Sequence, residues 1–238
     1  MTRPLVSIVV PIYNEERLLP EVLHRVRAID YDPLELVLVD DASRDGTADI
    51  LREEAEKPDT VVLHHEHNSG KGAAIRTGLE RARGEIIIVQ DADLEYDPED
   101  IPSVLEPILD GRTEVAYGSR FLGRVERMAL PNRVANHLLA WIVTLLFGQR
   151  ITDEATAYKA FRRTVLEEIT PLTCRRFEFC PEFTGKVMRR GYHVIEVPVT
   201  FRARTVEQGK KIGWRDFFVA VWTLLYIRVR EPRGRRQP

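Results

Sequence analysis

The sequence predicts an α/β fold built on a mostly parallel, doubly wound sheet with a helical extension at its C-terminal end. Three observations lead there. Short β-branched runs alternate with helical stretches over the first 120 or so residues. Several of those runs are continuously apolar, the pattern of strands covered on both faces. Polar, glycine-containing clusters begin where each run stops, and ligands of open α/β sheets bind beyond the carboxyl ends of the strands.

The predicted strands are Leu5–Pro11, Leu34–Asp40, Thr60–His65, Glu85–Gln90 and Glu114–Tyr117. The helices between them are Glu15–Ile29, opened by an Asn14 cap, then Thr47–Glu56, Gly72–Arg83 and Pro98–Leu109, the last with proline and acidic residues in its first turn. Later, Val134–Phe147, Phe177–Arg190 and Trp214–Val229 read as helices. A chain of 238 residues, 44% of them hydrophobic, builds a core without disulfides or a structural metal. Its only cysteines, Cys174 and Cys180, exclude a disulfide scaffold or zinc ribbon and point to a reducing compartment. No apolar run reaches about 18 residues, so no spanning helix is expected. The start, MTRPLVSIVVPIYNEE, turns acidic too soon for a signal peptide.

A net charge of −2 conceals two opposite halves. Residues 1–110 hold 11 Lys/Arg against 25 Asp/Glu, whereas residues 111–238 hold 24 against 12. Either these are two solvated faces, or an acidic half holds a cation and a basic half meets anionic groups. A nucleic-acid partner is not expected, because the arginines belong to no recognisable module and the sheet half is acidic.

The clusters at the strand ends carry the chemistry. They are Pro11-Ile12-Tyr13-Asn14-Glu15-Glu16, Asp40-Asp41-Ala42-Ser43-Arg44-Asp45-Gly46-Thr47, His67-Asn68-Ser69-Gly70-Lys71-Gly72 and Asp91-Ala92-Asp93. Singly each reads as a turn or a cap; four at successive strand ends of one sheet read as a site. In extended backbone Asp91 and Asp93 share a side, and two hard oxygen donors suit Mg²⁺ or Mn²⁺. The same residues also suit an acidic loop leading into the helix at Pro98. Glycines beside Lys71 let backbone approach a diphosphate, with the ammonium as a point charge. The spacing is not that of a P-loop, and no G-x-G-x-x-G follows the first strand, which excludes a P-loop NTPase and a dinucleotide dehydrogenase.

Together, VVPIYNEE, VDDASRDGT, HNSGKGAAIRTGLERARGEIIIVQDADLEYDPEDIP and YGSRF resemble the inverting family-2 glycosyltransferases of GT-A fold. Within them the chain is most similar to the dolichyl-phosphate mannose synthase and polyprenyl-phosphate glycosyltransferase branch, densely over residues 5–121 and more thinly to about residue 230. The resemblance implies a nucleotide-sugar donor, GDP-mannose or UDP-glucose, and a divalent metal. Pro11, Tyr13, Glu15 and Asp41 then meet base and ribose. Asp91, Ala92 and Asp93 take metal and diphosphate with Lys71 nearby. Glu95 stands where the branch has Gln, as a third ligand or as a charge on the rim. Ser119, Arg120 and Arg133 clamp the phosphate of a lipid acceptor. Asp153, in DEATAYK, matches the branch's D-x-x-S-G-F element with Thr156 for Ser and Ala157 for Gly, and orients the arginines. Arg204, Lys210 and Lys211 match a basic loop that closes over the diphosphate.

The resulting organisation is a nucleotide-sugar and metal half over residues 1–121, an acceptor half of the same domain over 122–212, and an amphipathic helix with a basic tail over 213–238. Val134–Phe147 is apolar nearly all round and Trp214–Val229 is aromatic and then basic, so both suit a membrane surface or a core. The expected activity is metal-dependent transfer of mannose or glucose to a polyprenyl phosphate, by a peripheral protein at the cytoplasmic membrane face. Two other readings stand beside it: transfer to a soluble or saccharide hydroxyl, with Glu178 or Glu182 as base, and a nucleotide-sugar binding protein without turnover. The histidines form no ligand cluster and read as structural or solvent-facing.

Overall fold

The computed structural model describes residues 3–203 and 214–234. Four parallel strands, β1 (Val6–Ile12), β2 (Leu34–Asp40), β3 (Thr60–His64) and β4 (Ile86–Val89), alternate with helices α1 (Leu19–Arg27), α2 (Thr47–Glu54) and α3 (Lys71–Arg81). A 3₁₀ turn, Pro98–Asp100, then leads into α4 (Ile101–Leu109). The second half supplies β5 (Val115–Glu126), α5 (Leu130–Phe147), β6 (Lys159–Arg162), α6 (Arg163–Ile169), α7 (Phe179–Arg190), β7 (Val194–Arg202) and α8 (Trp214–Arg230). The seven strands lie in the order β3-β2-β1-β4-β6-β5-β7. β6 runs antiparallel to both of its neighbours, and β5 and β7 pair in parallel.

Side-chain alternation divides the core into two layers. On one face Ile8, Val10, Leu36, Leu38 and Ile88 pack against α1 and α4. On the other, Val9, Val37, Val39 and Ile87 meet α3, and farther along the sheet α5, α6, α7 and α8 cover Val115 and Phe161. Complete burial of each such aliphatic side chain contributes about 1.5–3 kcal/mol, so the parallel strands are held by apolar contact on both sides. The first helix departs from expectation. Its cap is Leu18, and Asn14 instead sits at positive φ with its side chain accepting a hydrogen bond from the Arg44 backbone N–H, 2.8 Å.

Residue 121, the end of the nucleotide half, falls inside β5, so both halves share one sheet. The register between β5 and β7 breaks between Ser119 and Arg124. That irregularity leaves residues 120–123 outside the regular β5–β7 pairing. α8 is no appendage: Ala220, Leu224 and Ile227 are buried against the core.

Candidate active site

The loops after β1, β2, β3 and β4 gather at one end of the sheet and are fastened to each other. Ser43 Oγ accepts from the Asn14 N–H, Thr47 Oγ1 from the Glu15 N–H, and Glu16 Oε2 from the Gly46 N–H. Pro11 and Tyr13 lie at and just beyond the end of β1, beside this seam. Three non-glycine residues here, Asn14, Ala42 and Leu94, hold positive φ, a conformation that costs about 1–2 kcal/mol for an L-residue and collects where loops are shaped for function.

Asp41, nearly fully buried, organises the loop before α3. Its carboxylate accepts from the Ser69 N–H and the Gly70 N–H, each at 2.8 Å, and lies 2.7 Å from His65 Nδ1. His65 Nε2 reaches Thr77 Oγ1 on α3 at 3.0 Å, and His64 pairs with Asp40, so these two histidines are structural. The loop delivers Lys71 as the first residue of α3, the positive end of the helix dipole, where a cation is disfavoured. Asp91 holds it there: Lys71 Nζ is 2.6 Å from Oδ1 and donates to Oδ2 at 2.8 Å. Burial works against this ammonium, but the Asp91 charge and hydrogen bond outweigh it and raise the lysine above its ordinary value.

Around Asp91 the backbone is a turn, so the shared-side geometry of extended chain does not apply to Asp91 and Asp93. Ala92 is buried and Asp93 is half-buried, its Oδ1 accepting from the Glu95 N–H at 3.1 Å. Asp91 Oδ1 is buried with no hydrogen-bond partner, although Lys71 Nζ lies close to it. Among the described residues no group of three or more His, Cys, Asp or Glu side chains is placed to hold a metal. Leu94 turns the chain ahead of Glu95, whose carbonyl accepts from the Arg202 N–H on β7.

The glycines flanking Lys71 have another use than expected. A Cβ at Gly70 would stand 2.5 Å from the Arg175 carbonyl oxygen, and one at Gly72 2.7 Å from that of Arg176. The chain's own segment 174–176 occupies that approach, with the Ala73 N–H donating to Arg175 O. Glu182 secures this segment by accepting from the backbone N–H groups of Thr173 and Cys174, and pairs with Lys186 at 3.0 Å. Burial alone would raise Glu182, but those hydrogen bonds hold it below its usual range. Glu178 Oε1 likewise accepts from the N–H groups of Arg175 and Arg176.

On the acceptor side Arg120 and Asp153 form a buried, forked pair: Nε to Oδ2 and Nη2 to Oδ1, both 2.7 Å, with the Arg120 N–H adding a third bond. Burial opposes the guanidinium charge, and the Asp153 carboxylate more than restores it. Arg120 also lies over the Phe121 and Phe201 rings. Ser119 is fully buried and bonded to Thr152 Oγ1. Arg133 is exposed on the first turn of α5. Arg204, Lys210 and Lys211 lie outside the described residues.

Several organising residues carried no signal in the sequence. Gln90 Nε2 donates to the Asp91 carbonyl, and the Tyr158 hydroxyl donates to Gln90 Oε1. Tyr96 stacks on Tyr158 and Phe201, and its hydroxyl accepts from the Ala157 N–H. This aromatic group joins the Asp91 loop to the ring beneath Arg120. Glu196 on β7 accepts from the backbone N–H groups of Thr152 and Asp153 and so sets the Asp153 loop.

Glu154 is the outlier. It is completely buried, and neither carboxyl oxygen has a hydrogen-bond partner. Burial pushes it up to about 7, against the pull of Lys159. The folded chain thus holds a proton that the unfolded chain releases from about pH 4.5 upward, and this proton linkage lowers stability progressively until about pH 7. Relative to the parent protein, Glu154→Gln is expected to gain about 3 kcal/mol more in urea unfolding at about pH 8.5 than at about pH 4. An equal effect at both pH values would show that the fold does not raise this carboxyl above its unfolded value.

Comparison with solved structures places this architecture among the GT-A glycosyltransferases. Glucosyl-3-phosphoglycerate synthase from Mycobacterium tuberculosis, solved with Mn²⁺, UDP and glucosyl-3-phosphoglycerate, superposes with a TM-score of 0.68 over 94% of this chain and 78% of its own, at 19% identity. A mannosyltransferase from Pyrobaculum calidifontis, solved with GDP-Man and Mn²⁺, gives 0.62 over 96% and 71%, at 22% identity. The chain is a glycosyltransferase, and residues 7–170 match the Glycosyl transferase family 2 domain, the family to which it belongs. Among its relatives, UDP-N-acetylglucosamine–dolichyl-phosphate N-acetylglucosaminyltransferase of Methanococcus voltae is 30% identical, with 84% of this chain and 86% of that protein covered. Undecaprenyl-phosphate 4-deoxy-4-formamido-L-arabinose transferase of Pseudomonas fluorescens is 36% identical over 84% of this chain, which spans only 58% of that longer protein.

Proposed function

We propose that this glycosyltransferase moves a sugar, with inversion, from a nucleoside diphosphate donor to a polyprenyl phosphate, with a divalent cation, at a membrane surface. The observation that carries the proposal is the Asp91–Lys71 pair at the end of β4. A buried carboxylate, whose Oδ1 has no partner beyond the Lys71 ammonium 2.6 Å away, faces a cation that a diphosphate can draw away. Two carboxylates supplying hard oxygens fit Mg²⁺ or Mn²⁺, with phosphate oxygens completing the ligand set. Asp91 and Asp93 would hold the ion, and Glu95 is assigned to the rim. When bound, the cation supplies charge neutralisation for the leaving diphosphate.

The protein's own residues do the rest. Pro11, Tyr13, Glu15 and Asp41 shape the base and ribose end, and Ala92 lets the backbone approach the donor. Lys71 exchanges its contact with Asp91 for the diphosphate, aided by the basic segment of Arg204, Lys210 and Lys211. Arg120, aligned by Asp153 and backed by Ser119, offers a planar cation to the acceptor phosphate, with Arg133 nearer solvent. A phosphate acceptor is anionic at neutral pH and needs no base to take its proton, whereas a hydroxyl does. Glu182 and Glu178 are already engaged by backbone N–H groups, which favours the phosphate over a hydroxyl acceptor. No described helix is long and apolar enough to cross a membrane, and the assigned location is peripheral, at the cytoplasmic face.

The donor sugar is assigned as mannose or glucose, from GDP-mannose or UDP-glucose, and the relatives named above add UDP-N-acetylglucosamine to the panel. Each donor is incubated with Mn²⁺ and a short polyprenyl phosphate, and product mass is read. One glycosyl-phosphoprenol, absent when chelator replaces the metal, is the expected result. No nucleoside diphosphate release with any donor would overturn the proposal.

A further inference from the structure

Residues 171–176 run between α6 and α7 without regular structure, and their backbone polar groups are held from two helices at once. From α7, Lys186 Nζ donates to the Pro171 carbonyl, and Glu182 accepts from the Thr173 N–H at 2.9 Å and the Cys174 N–H at 2.8 Å. From α3, Arg76 Nη1 donates to the Leu172 carbonyl and the Ala73 N–H to the Arg175 carbonyl, each at 2.9 Å. The segment is thus a strap fastened to both helices, and it meets α3 at the first turn, which Lys71 opens. That contact has no slack. A Cβ on Gly72 would stand 2.9 Å from the Cys174 carbonyl oxygen, besides its approach to that of Arg176.

The fastening on the α7 side is ionic. Glu182 and Lys186 are 2% and 6% exposed, and Lys186 Nζ lies 3.0 Å from Glu182 Oε1. Glu231, just beyond α8, stands 3.8 Å from the same ammonium. A buried ion pair adds little stability over an apolar pair of equal volume. What it supplies here is direction, because both carboxylate oxygens are presented to the strap's N–H groups. We propose that Glu182, aligned by Lys186, is a positioning residue of the donor site: it sets the strap, the strap sets the first turn of α3, and that turn sets Lys71 against Asp91. This rests on the reading of Lys71 as a diphosphate ligand and removes a difficulty in it. A cation in the first turn of a helix faces the positive end of the dipole, so its place has to be imposed from outside the helix. A misplacement of about 1 Å can cost about 10² in rate.

Glu182→Gln keeps the shape, removes the charge and turns one acceptor into a donor facing the strap. With the donor that the panel above selects, its donor KM is expected to rise about tenfold while kcat stays within about threefold. Lys186→Met is expected to move donor KM in the same direction. In a Lys71→Met background Glu182→Gln should add nothing further to donor KM, since the residue it acts through is already gone. Hydrogen exchange over residues 69–76 should quicken in Glu182→Gln, with the amides of β1 and β2 unchanged. A fall in kcat at unchanged donor KM would overturn the inference and assign Glu182 as a base. An equal rise in donor KM with and without Lys71 would overturn it too, as would exchange over 69–76 matching the parent protein. If Lys71→Met alone leaves donor KM unchanged, the diphosphate reading falls instead, and exchange over 69–76 decides whether Glu182 places this turn.

Discussion

Asp91→Asn is expected to reduce turnover by about 10³, the cost of weakening the hold on a cation that would neutralise charge on the leaving diphosphate. The substitution keeps shape and removes the negative charge. Two consequences are expected. On the proposed function a cation would lose its buried anionic donor, so the Mn²⁺ concentration giving half-maximal rate is expected to rise by about tenfold or more. Lys71, whose Nζ lies 2.6 Å from Asp91 Oδ1, is left at the positive end of α3 without its counter-charge. Nucleoside diphosphate release across a Mn²⁺ titration checks this, with circular dichroism recorded in parallel. Lys71→Met separates the two effects: it weakens donor binding and slows release while leaving the metal half-point near that of the parent protein. A parent-like rate for Asp91→Asn would remove this carboxylate from the chemistry.

The strands that presented both faces to core were legible in the sequence. Leu34–Asp40 is β2 residue for residue: the apolar run Leu36–Val39 ending at an aspartate suits a parallel strand covered on both faces, and the buried Glu35 within it is satisfied by Ser7 and Arg83. Local pattern could not reveal β6 or β7. β6 is four residues long and antiparallel between two parallel strands, an arrangement fixed by tertiary packing alone. β7 contains Pro198, which argues against an internal strand, and β7 is indeed at the sheet edge, where the missing N–H is tolerated.

The candidate site divides in the same way. Asp91, Asp93, Lys71, Asp41, Arg120 and Asp153 could be chosen from spacing and family likeness, and the structure pairs four of them, as Lys71–Asp91 and Arg120–Asp153. What spacing does not encode is which oxygen meets which donor. Gly70 and Gly72 read as room for a diphosphate, yet their missing Cβ atoms make room for segment 174–176, a contact between residues about a hundred positions apart. Ala157 stands where the resembling element has Gly; its N–H bonds the Tyr96 hydroxyl and its side chain lies in the core. The turn at Asp91, with Leu94 at positive φ, follows from no local propensity of leucine. The loop is held by Gln90, Tyr158 and Tyr96, whose partners come from the far half of the chain.

Asp153→Ala is expected to lower unfolding free energy by about 3–5 kcal/mol, the cost of leaving a buried charge without its partner. Asp153 has no exposed surface, and its two oxygens accept three hydrogen bonds from Arg120 alone. Removing the carboxylate strands the guanidinium between the Phe121 and Phe201 rings, where water cannot replace the lost acceptor. Because a buried ion pair adds little beyond an apolar pair of equal volume, Arg120→Met/Asp153→Leu should recover most of the stability lost by Asp153→Ala. The same double variant should not recover activity, since the acceptor phosphate then finds no planar cation. Urea unfolding combined with turnover of a short polyprenyl phosphate therefore separates two roles held by one pair: stability tracks matched burial, and catalysis tracks the guanidinium. Full activity in the double variant would show that Arg120 serves the fold alone and that the phosphate is held elsewhere.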